Sequence, residues 1–482
     1  MRSILGISTG AIALVLAGGA PVEAFAAGSG SAAQPSATAQ ELAEMRAQIA
    51  RMAQRIDQLE GELEQTKADA AQASTVAQSA TVTAQSASAA AQSATQVASA
   101  AQASSAKAQE TQIAWKGAPE FKTKDGWSFK LGGRLNLDAG YISAPDSAGP
   151  SDGIGSEIRR ARLRVQGSIP GGFGYKFEYD FAPAAQDLTD AYISYEDKGL
   201  EIIAGQHNNF QGLEEISSSL NTSFLERAAF TDAFNFERRL GLSAQYATGA
   251  LLLQGGVFSD NAEDLTNKNY SLDTRVVYAP KIGSTQLHLG ASYHYAGLAG
   301  DDATVRYRQR PFEHFTSTRY LNTGLISATA EQGIGLESAV IAGRFHASGE
   351  AYWQHVVRPG DLANPTFFGG SFEVGYFLTR GDTRGYKHGV FDRVKPAHPV
   401  GEGGIGAIQL NARYDYLDLT DAGIVGGIQK GYEASIIWTQ TDYTRLMLNY
   451  AHLDYTDAYY ATASGSRDYG VDVIAMRAQI DF

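Results

Sequence analysis

The chain has 482 residues with no cysteine, 24 Tyr, 21 Phe and 52 Gly, and a formal net charge of −13. Without cysteine it is not a disulfide scaffold, and an acidic balance argues against nucleic acid as a partner, which calls for a basic face. The net charge leaves a pore undecided, because loops and rims dominate the total while a lumen has its own local sign.

Arg2 precedes an apolar run from Ile4 to Ala20, and Ala24-Phe25-Ala26 follows as a small-x-small cleavage site. Residues 1–26 are therefore read as a secretory signal peptide, since the run is too short and polar for a span of roughly 20 residues. Residues 27–40 are expected to be a flexible N-terminus. Beyond them no long uncharged apolar stretch occurs, which excludes helical membrane spans. A β-barrel remains open, because its strands need only about 10 alternating residues each.

Residues 41–110 are rich in Ala, Gln and Ser. Leu42, Met45, Ile49, Met52, Ile56, Leu59 and Leu63 alternate in a 3-4 spacing, the a/d seam of a coiled coil, and alanines from Ala70 to Ala101 keep the frame. In a parallel in-register assembly Arg55 faces Glu60 of a neighbour and Glu62 faces Lys67, which favours a homo-oligomer. A fully helical segment of ~70 residues reaches ~105 Å. The competing expectation is a disordered tether.

Residues 111–126 are expected to be a linker, and residues 127–482 to be a barrel of about 16 strands at roughly 22 residues per strand and connection. Phe129, Leu131, Leu135, Leu137 and Tyr141 alternate with Lys130, Arg134, Asn136 and Asp138, and comparable alternation recurs around Tyr175, Leu287 and Ile408. Between Glu157 and Ile169 the stretch EIRRARLRVQGSI sets Arg160, Arg162 and Arg164 opposite Ala161, Leu163 and Val165. Alternation places Arg134, Arg160, Arg162, Arg164, Arg239, Arg344, Arg413 and Arg477 on the lumen wall, where guanidinium groups suit oxyanions. The bland expectation pairs them with Asp138, Glu178, Asp180 and Glu350, giving a non-selective pore.

The stretch His207–Phe236 is long and lacks alternation, so it is expected to fold inward and narrow the pore. It carries Glu214, Glu215, Glu226 and Asp232 against Arg227, a poor composition for a phosphate constriction. An external or trimer-contact loop is the alternative. Gly401-x-Gly403-x-x-Gly406 spells a dinucleotide fingerprint but leads into a strand, so it is a turn. Gly6-x-Ser8-x-Gly10 lies inside the signal peptide and is noise. The histidines lack metal-ligand spacing, and His346 and Ser348 point at the lumen, so no metal, cofactor or catalytic residue is expected.

Taken in order, EIRRARLRVQGSI, YKFEYDFA (175–182), LTDAYISYE (188–196), GQHNNFQGLEEISSSLNTSFLER (205–227), FEVGYFLTRGDTRGY (372–386), FDRVKP (391–396), ARYDYLDLTD (412–421) and the terminal MRAQIDF resemble the phosphate-selective porin O and P family. The resemblance implies an all-β, 16-stranded transmembrane channel of the bacterial outer membrane, assembled as a homotrimer. It implies that small anions, phosphate among them, or other hydrophilic solutes pass, and that the outside meets membrane lipid. By the same resemblance Phe482 is the signal read by the barrel assembly machinery. The coiled coil would then lie in the periplasm as a trimer clamp. The competing class is a structural protein whose coil tethers the membrane to peptidoglycan, with an incidental pore.

Overall fold

The computed structural model describes residues 37–104, 111–149, 153–185, 187–262, 269–300 and 303–482. The signal peptide expected over residues 1–26, and residues 27–36, lie outside the described residues. The chain divides into two units, one ending at Ala94 and one beginning at Thr95.

Helix α1 runs from Ala37 to Ser104. Alanine, Gln, Glu and Leu dominate it, residues that lose little freedom in a helix. Its hydroxyls bond back to the preceding turn, as Thr81 Oγ1 does to the Ala77 carbonyl at 2.7 Å and Thr83 Oγ1 to that of Ser79 at 2.8 Å. Residues 37–40, expected to be flexible, are already helical. Met45, Ile49 and Met52 lie exposed along α1.

Sixteen antiparallel strands of the described residues close into a barrel. They are β1 (Ser128–Ser143), β2 (Gly153–Ile169), β3 (Phe173–Asp180), β4 (Asp187–Asp197), β5 (Leu200–Asn208), β6 (Arg238–Thr248), β7 (Leu251–Phe258) and β8 (Tyr270–Tyr278), then β9 (Thr285–Gly297), β10 (Ala330–Ala342), β11 (Phe345–Val357), β12 (Thr366–Phe377), β13 (Ala407–Asp421), β14 (Ile424–Thr441), β15 (Thr444–Thr456) and β16 (Tyr469–Asp481). β16 returns to β1 with Arg477 opposite Asp138, so no strand edge is left open. Phe482 completes the closure by exchanging backbone bonds of 3.0 and 2.9 Å with Gly133.

Burial is inverted relative to a soluble sheet. Leu448, Met476, Phe372 and Leu289 are exposed on the outside, while Asp415, Arg413, Asp273 and Arg275 are buried within. Such a wall requires hydrocarbon outside and a polar filling inside.

Two features depart from the sequence reading. The expected linker contains a hairpin, Gln112–Lys116 with Ala118–Lys122, whose second strand pairs β1 with Phe121 opposite Phe129. Strict alternation also fails in β2, where Asn136 faces Arg160 but Leu137 faces Ile158. Arg159 is the extra residue of this bulge, and it joins Arg160 on the lumen side.

Three connections fill the lumen. Residues 209–237 join β5 to β6 and residues 298–329 join β9 to β10, both from the rim opposite Phe482. Residues 378–406 join β12 to β13 from the rim near Phe482 and carry the hairpin Gly385–Lys387 with Val390–Asp392. Their aromatic residues meet inside: Phe234 and Tyr307 lie edge to face at 5.6 Å, and Phe236 and Tyr352 at 4.7 Å.

Candidate functional site in the lumen

The connection 209–237 is pinned by its own acids. The Glu350 carboxylate of β11 accepts the backbone N–H groups of Leu213 and Glu214 at 2.9 and 2.8 Å. Glu214 in turn accepts from Arg413 at 3.2 Å and from the Ala228 N–H at 2.9 Å, while Arg413 grips Glu433 at 2.6 and 3.0 Å. Arg227 pairs with Glu215 at 3.1 Å and donates to the carbonyls of Glu214 and Ser217. Glu226 takes both Arg159 nitrogens at 2.8 and 3.0 Å and Arg477 at 3.0 Å.

These contacts sort the loop acids electrostatically. Burial pushes the Glu214 and Glu215 carboxyls up, and the guanidinium groups of Arg413 and Arg227 only partly offset it. Burial also opposes ionisation of Glu226, but Arg159, Arg160 and Arg477 outweigh it and hold that carboxyl well below the usual carboxylate range. Of this acidity, Glu214 and Glu226 fasten the loop to Arg413, Arg159 and Arg477 of the wall, while Glu215 pairs with Arg227 inside the loop and, like Glu226 and Asp232, still borders open lumen space.

The connection 378–406 closes another part of the lumen. Arg384 donates to Glu373 at 2.6 Å and to the Asn221 carbonyl at 3.2 Å, and the Phe391 N–H donates to Ser217 Oγ at 3.1 Å. Farther along, Arg275 reaches the Gly389 carbonyl at 2.9 Å and Tyr386 Oη lies 2.6 Å from His288 Nδ1. Gly389 has φ +76°, and a Cβ there would meet Leu252 at 2.7 Å, so glycine suits both its conformation and its close approach to the wall.

Open space remains beside β1 to β6. A far cavity of ≈ 270 Å³ is lined by Arg159, Arg227, Arg238 and Arg310 and by the carboxylates of Asp187, Glu215, Glu226, Asp232, Glu237 and Glu313. A narrow cavity of ≈ 140 Å³ follows, lined by Arg134, Arg160, Arg162, Lys176, Arg227, Arg238, Asp190 and Ser217–Ser219. A near cavity of ≈ 700 Å³ includes Lys130, Lys176 and Lys198 with Glu120, Glu196 and Asp197. Arg227 and Arg238 border the first two and Lys176 the last two, so the three cavities follow one another along this side of the lumen.

Six cationic side chains and a single carboxylate, Asp190, line the narrow cavity. Asp190 is held by Lys176 at 2.7 Å and Arg238 at 3.1 Å. Behind the wall, Glu178 binds Arg134 at 3.3 Å and Arg162 at 3.2 Å, and Asp180 binds Arg162 at 2.7 Å. Arg160 differs: it is buried, its Nη1 has no hydrogen-bond partner, and among the described residues no carboxylate lies within ion-pairing distance. Glu226 acts on it only from beyond that distance, and a buried guanidinium without a close counter-charge is costly unless an anion supplies one.

Of the sequence-predicted wall arginines, Arg134, Arg160 and Arg162 border the narrow cavity, and Arg164 lies 3.9 Å from Glu178. Arg239 pairs with Glu237 and Asp260, both at 3.4 Å. Arg413 and Arg477 are anchors for the loop. Arg344 is a correction: β10 ends at Ala342 and β11 starts at Phe345, so Arg344 sits in the turn, stacked 4.9 Å from the Tyr376 ring. Alternation does not extend through a turn.

The sequence reading missed Arg159, Lys176, Arg238 and Arg310. It also missed Arg306, Arg308 and Arg319, which lie with Arg310 on the connection 298–329, where Asp301, Asp302 and Glu313 offset most of their charge. The period-2 string Arg306, Arg308, Arg310 was the available signal, and it was overlooked because it lies outside a long strand.

An apolar outer wall, a closed polar barrel and inward-folded connections define an outer-membrane porin. Residues 129–482 match the family described as phosphate-selective porin O and P, and the chain belongs to that family. An uncharacterised protein of Caulobacter vibrioides is 46% identical over 385 residues, 77% of each chain. Among solved structures, the anion-selective porin of Comamonas acidovorans is similar at TM-score 0.47 and 15% identity, over 74% of this chain and 100% of that one. The outer-membrane channel DcaP of Acinetobacter baumannii is similar at TM-score 0.45 and 14% identity, over 75% and 99%.

Proposed function

We propose that the protein conducts small anions through the path beside β1 to β6, with oxyanions of the phosphate type pausing at Arg160. The observation that carries this is the Arg160 guanidinium, buried with Nη1 unpartnered and without an ion pair among the described residues, beside a ≈ 140 Å³ cavity rich in cations. Ser217 and Ser219 line the same cavity, so hydroxyls and guanidinium groups are both at hand for an oxyanion's acceptor oxygens. Conduction needs binding that is real but brief, and successive basic side chains along the path give such steps.

The test is the reversal potential of single channels in a salt gradient, with phosphate titrated as a blocker of chloride current. The expected result is anion preference and phosphate block, both reduced by Arg160→Gln. A cation-selective reversal potential overturns the reading.

The same proposal places the rim near Phe482 in the periplasm and gives α1 the role of a homotrimer clamp there. Its support is the exposed row Met45, Ile49 and Met52, which buries apolar surface only if another helix covers it. That row favours self-association over a cell-wall tether, and purified residues 27–115 failing to sediment with peptidoglycan would agree. Phe482, tied to Gly133, is proposed as the signal for the assembly machinery.

A further inference from the structure

We infer that the far cavity is a binding site for small zwitterions, solutes carrying an amine beside an acid group, with the amine at Glu313 and Gln309 and the acid at Arg310. This rests on the anion-path reading and deepens it.

The connection 298–329 lays Gln309, Arg310 and Glu313 along the ≈ 270 Å³ cavity. Gln309 is 2% exposed and Glu313 3%. Neither Gln309 Oε1 nor Glu313 Oε2 has a hydrogen-bond partner among the described residues. Gln309 Oε1 is an acceptor, and Glu313 offers only acceptors once an arriving cation lets it ionise; buried acceptors are almost always satisfied, so this wall of the cavity calls for a charged donor.

Most other charges around the cavity are already matched, Asp232 being a lining carboxylate without an ion pair among the described residues. Arg159 holds Glu226 at 2.8 Å, Arg227 holds Glu215 at 3.1 Å, Arg238 holds Asp190 at 3.1 Å and His314 holds Glu157 at 2.9 Å. Arg310 has no carboxylate within ion-pairing distance, and its Nε is buried without a partner. Asp232 is the carboxylate that acts on it most strongly, from beyond that distance. One cavity therefore keeps both an open guanidinium and an open pair of acceptors.

The surroundings of Glu313 favour a cation over a neutral donor. Glu226 from the connection 209–237, Asp138 from β1 and Glu157 from β2 act on it, against the Arg477 guanidinium of β16. Burial and these carboxylates push the Glu313 carboxyl well above the usual carboxylate range. An arriving ammonium brings a compensating charge and three N–H donors, whereas a simple anion finds only Arg310. The volume lies just below the roughly 300–1,000 Å³ of drug-sized sites, which suits a solute of a few heavy atoms.

Two probes that differ only in the amine, 2-aminoethanesulfonate and ethanesulfonate, test this as blockers of chloride current through the intact porin in planar bilayers. The amino compound is expected to block at about tenfold lower concentration despite its smaller net charge, the worth of a charge-assisted hydrogen bond. Glu313→Gln should abolish that advantage, and Arg310→Gln should weaken both blockers. Retained heat-modifiable migration verifies that each variant folds. Equal block by the two probes in the wild type, or an undiminished advantage in a folded Glu313→Gln channel, overturns the site. If the reversal potential stays anion-selective in that case, the zwitterion site alone fails; a cation-selective reversal brings down the anion path itself.

Discussion

Arg477 crosses the closure of the barrel to Asp138, its Nε and Nη2 lying 2.7 and 2.6 Å from the two carboxylate oxygens, and the same Nη2 is 3.0 Å from Glu226. Joining the last strand to the first and seating the constriction loop are thus a single interaction. Its Nη1 adds a 2.6 Å bond to the Leu225 carbonyl.

Replacing Arg477 with Met should leave Asp138 buried without its partner, at a cost of about 3–5 kcal/mol. The measurement is the temperature at which the folded barrel loses its fast-migrating band in gel electrophoresis. That temperature should fall for Arg477→Met and stay unchanged for Arg344→Ala, whose side chain lies in a turn. An Arg477→Met barrel as heat-resistant as the wild type would refute the double role.

The hairpin of residues 385–392 occupies lumen space and supports the loop through Phe391 and Ser217. Its excision should raise single-channel conductance. Anion preference should persist, because no residue of the hairpin lines the narrow cavity around Arg160. Unchanged conductance would place the hairpin outside the conducting path.

Acidification should not release the constriction loop. Glu226 has a depressed folded-state value, so its stabilising contribution is present above its unfolded value and is lost only when pH falls through the lower folded one. Glu214 and Glu215 are raised, so the folded state binds more protons than the unfolded chain in the window between their two values; lowering pH through that window strengthens the folded state. Conductance measured from pH 7 down to about 4, near the ordinary carboxylate value, should show no step increase. A jump in conductance there would count against the anchoring by Glu226.

Exchanging Ile49 and Met52 for Asn should lower the temperature at which the proposed trimer dissociates to monomers in gel electrophoresis while leaving the barrel's own heat transition in place. Coiled-coil seams tolerate a buried Asn only at a cost in stability. Trimers of undiminished heat resistance would remove α1 as the clamp.

The alternation around Leu135, Tyr175 and Ile408 was enough to specify a barrel, because a two-faced strand has a period of two wherever hydrocarbon lies on one side and water on the other. Arg134, Arg160 and Arg162 were legible on the lumen wall for that reason, as was the inward course of the stretch beginning near His207, since it breaks the pattern. Arg344 was misplaced because periodicity continues on paper through a turn that ends it in space. Arg159 was missed because a one-residue bulge shifts the count.

The sequence by itself determined the alternation, the long helix and the supply of charges. Which charges stay free was decided by tertiary structure alone. Glu214, Glu215 and Glu226 read as a repulsive gate in the chain, yet each pairs with an arginine, two of these, Arg413 and Arg477, from strands about 200 residues or more away, while Arg160 is left without an ion pair among the described residues. Pairing depends on distances of a few ångströms between remote segments, and short-range order along a chain does not encode them.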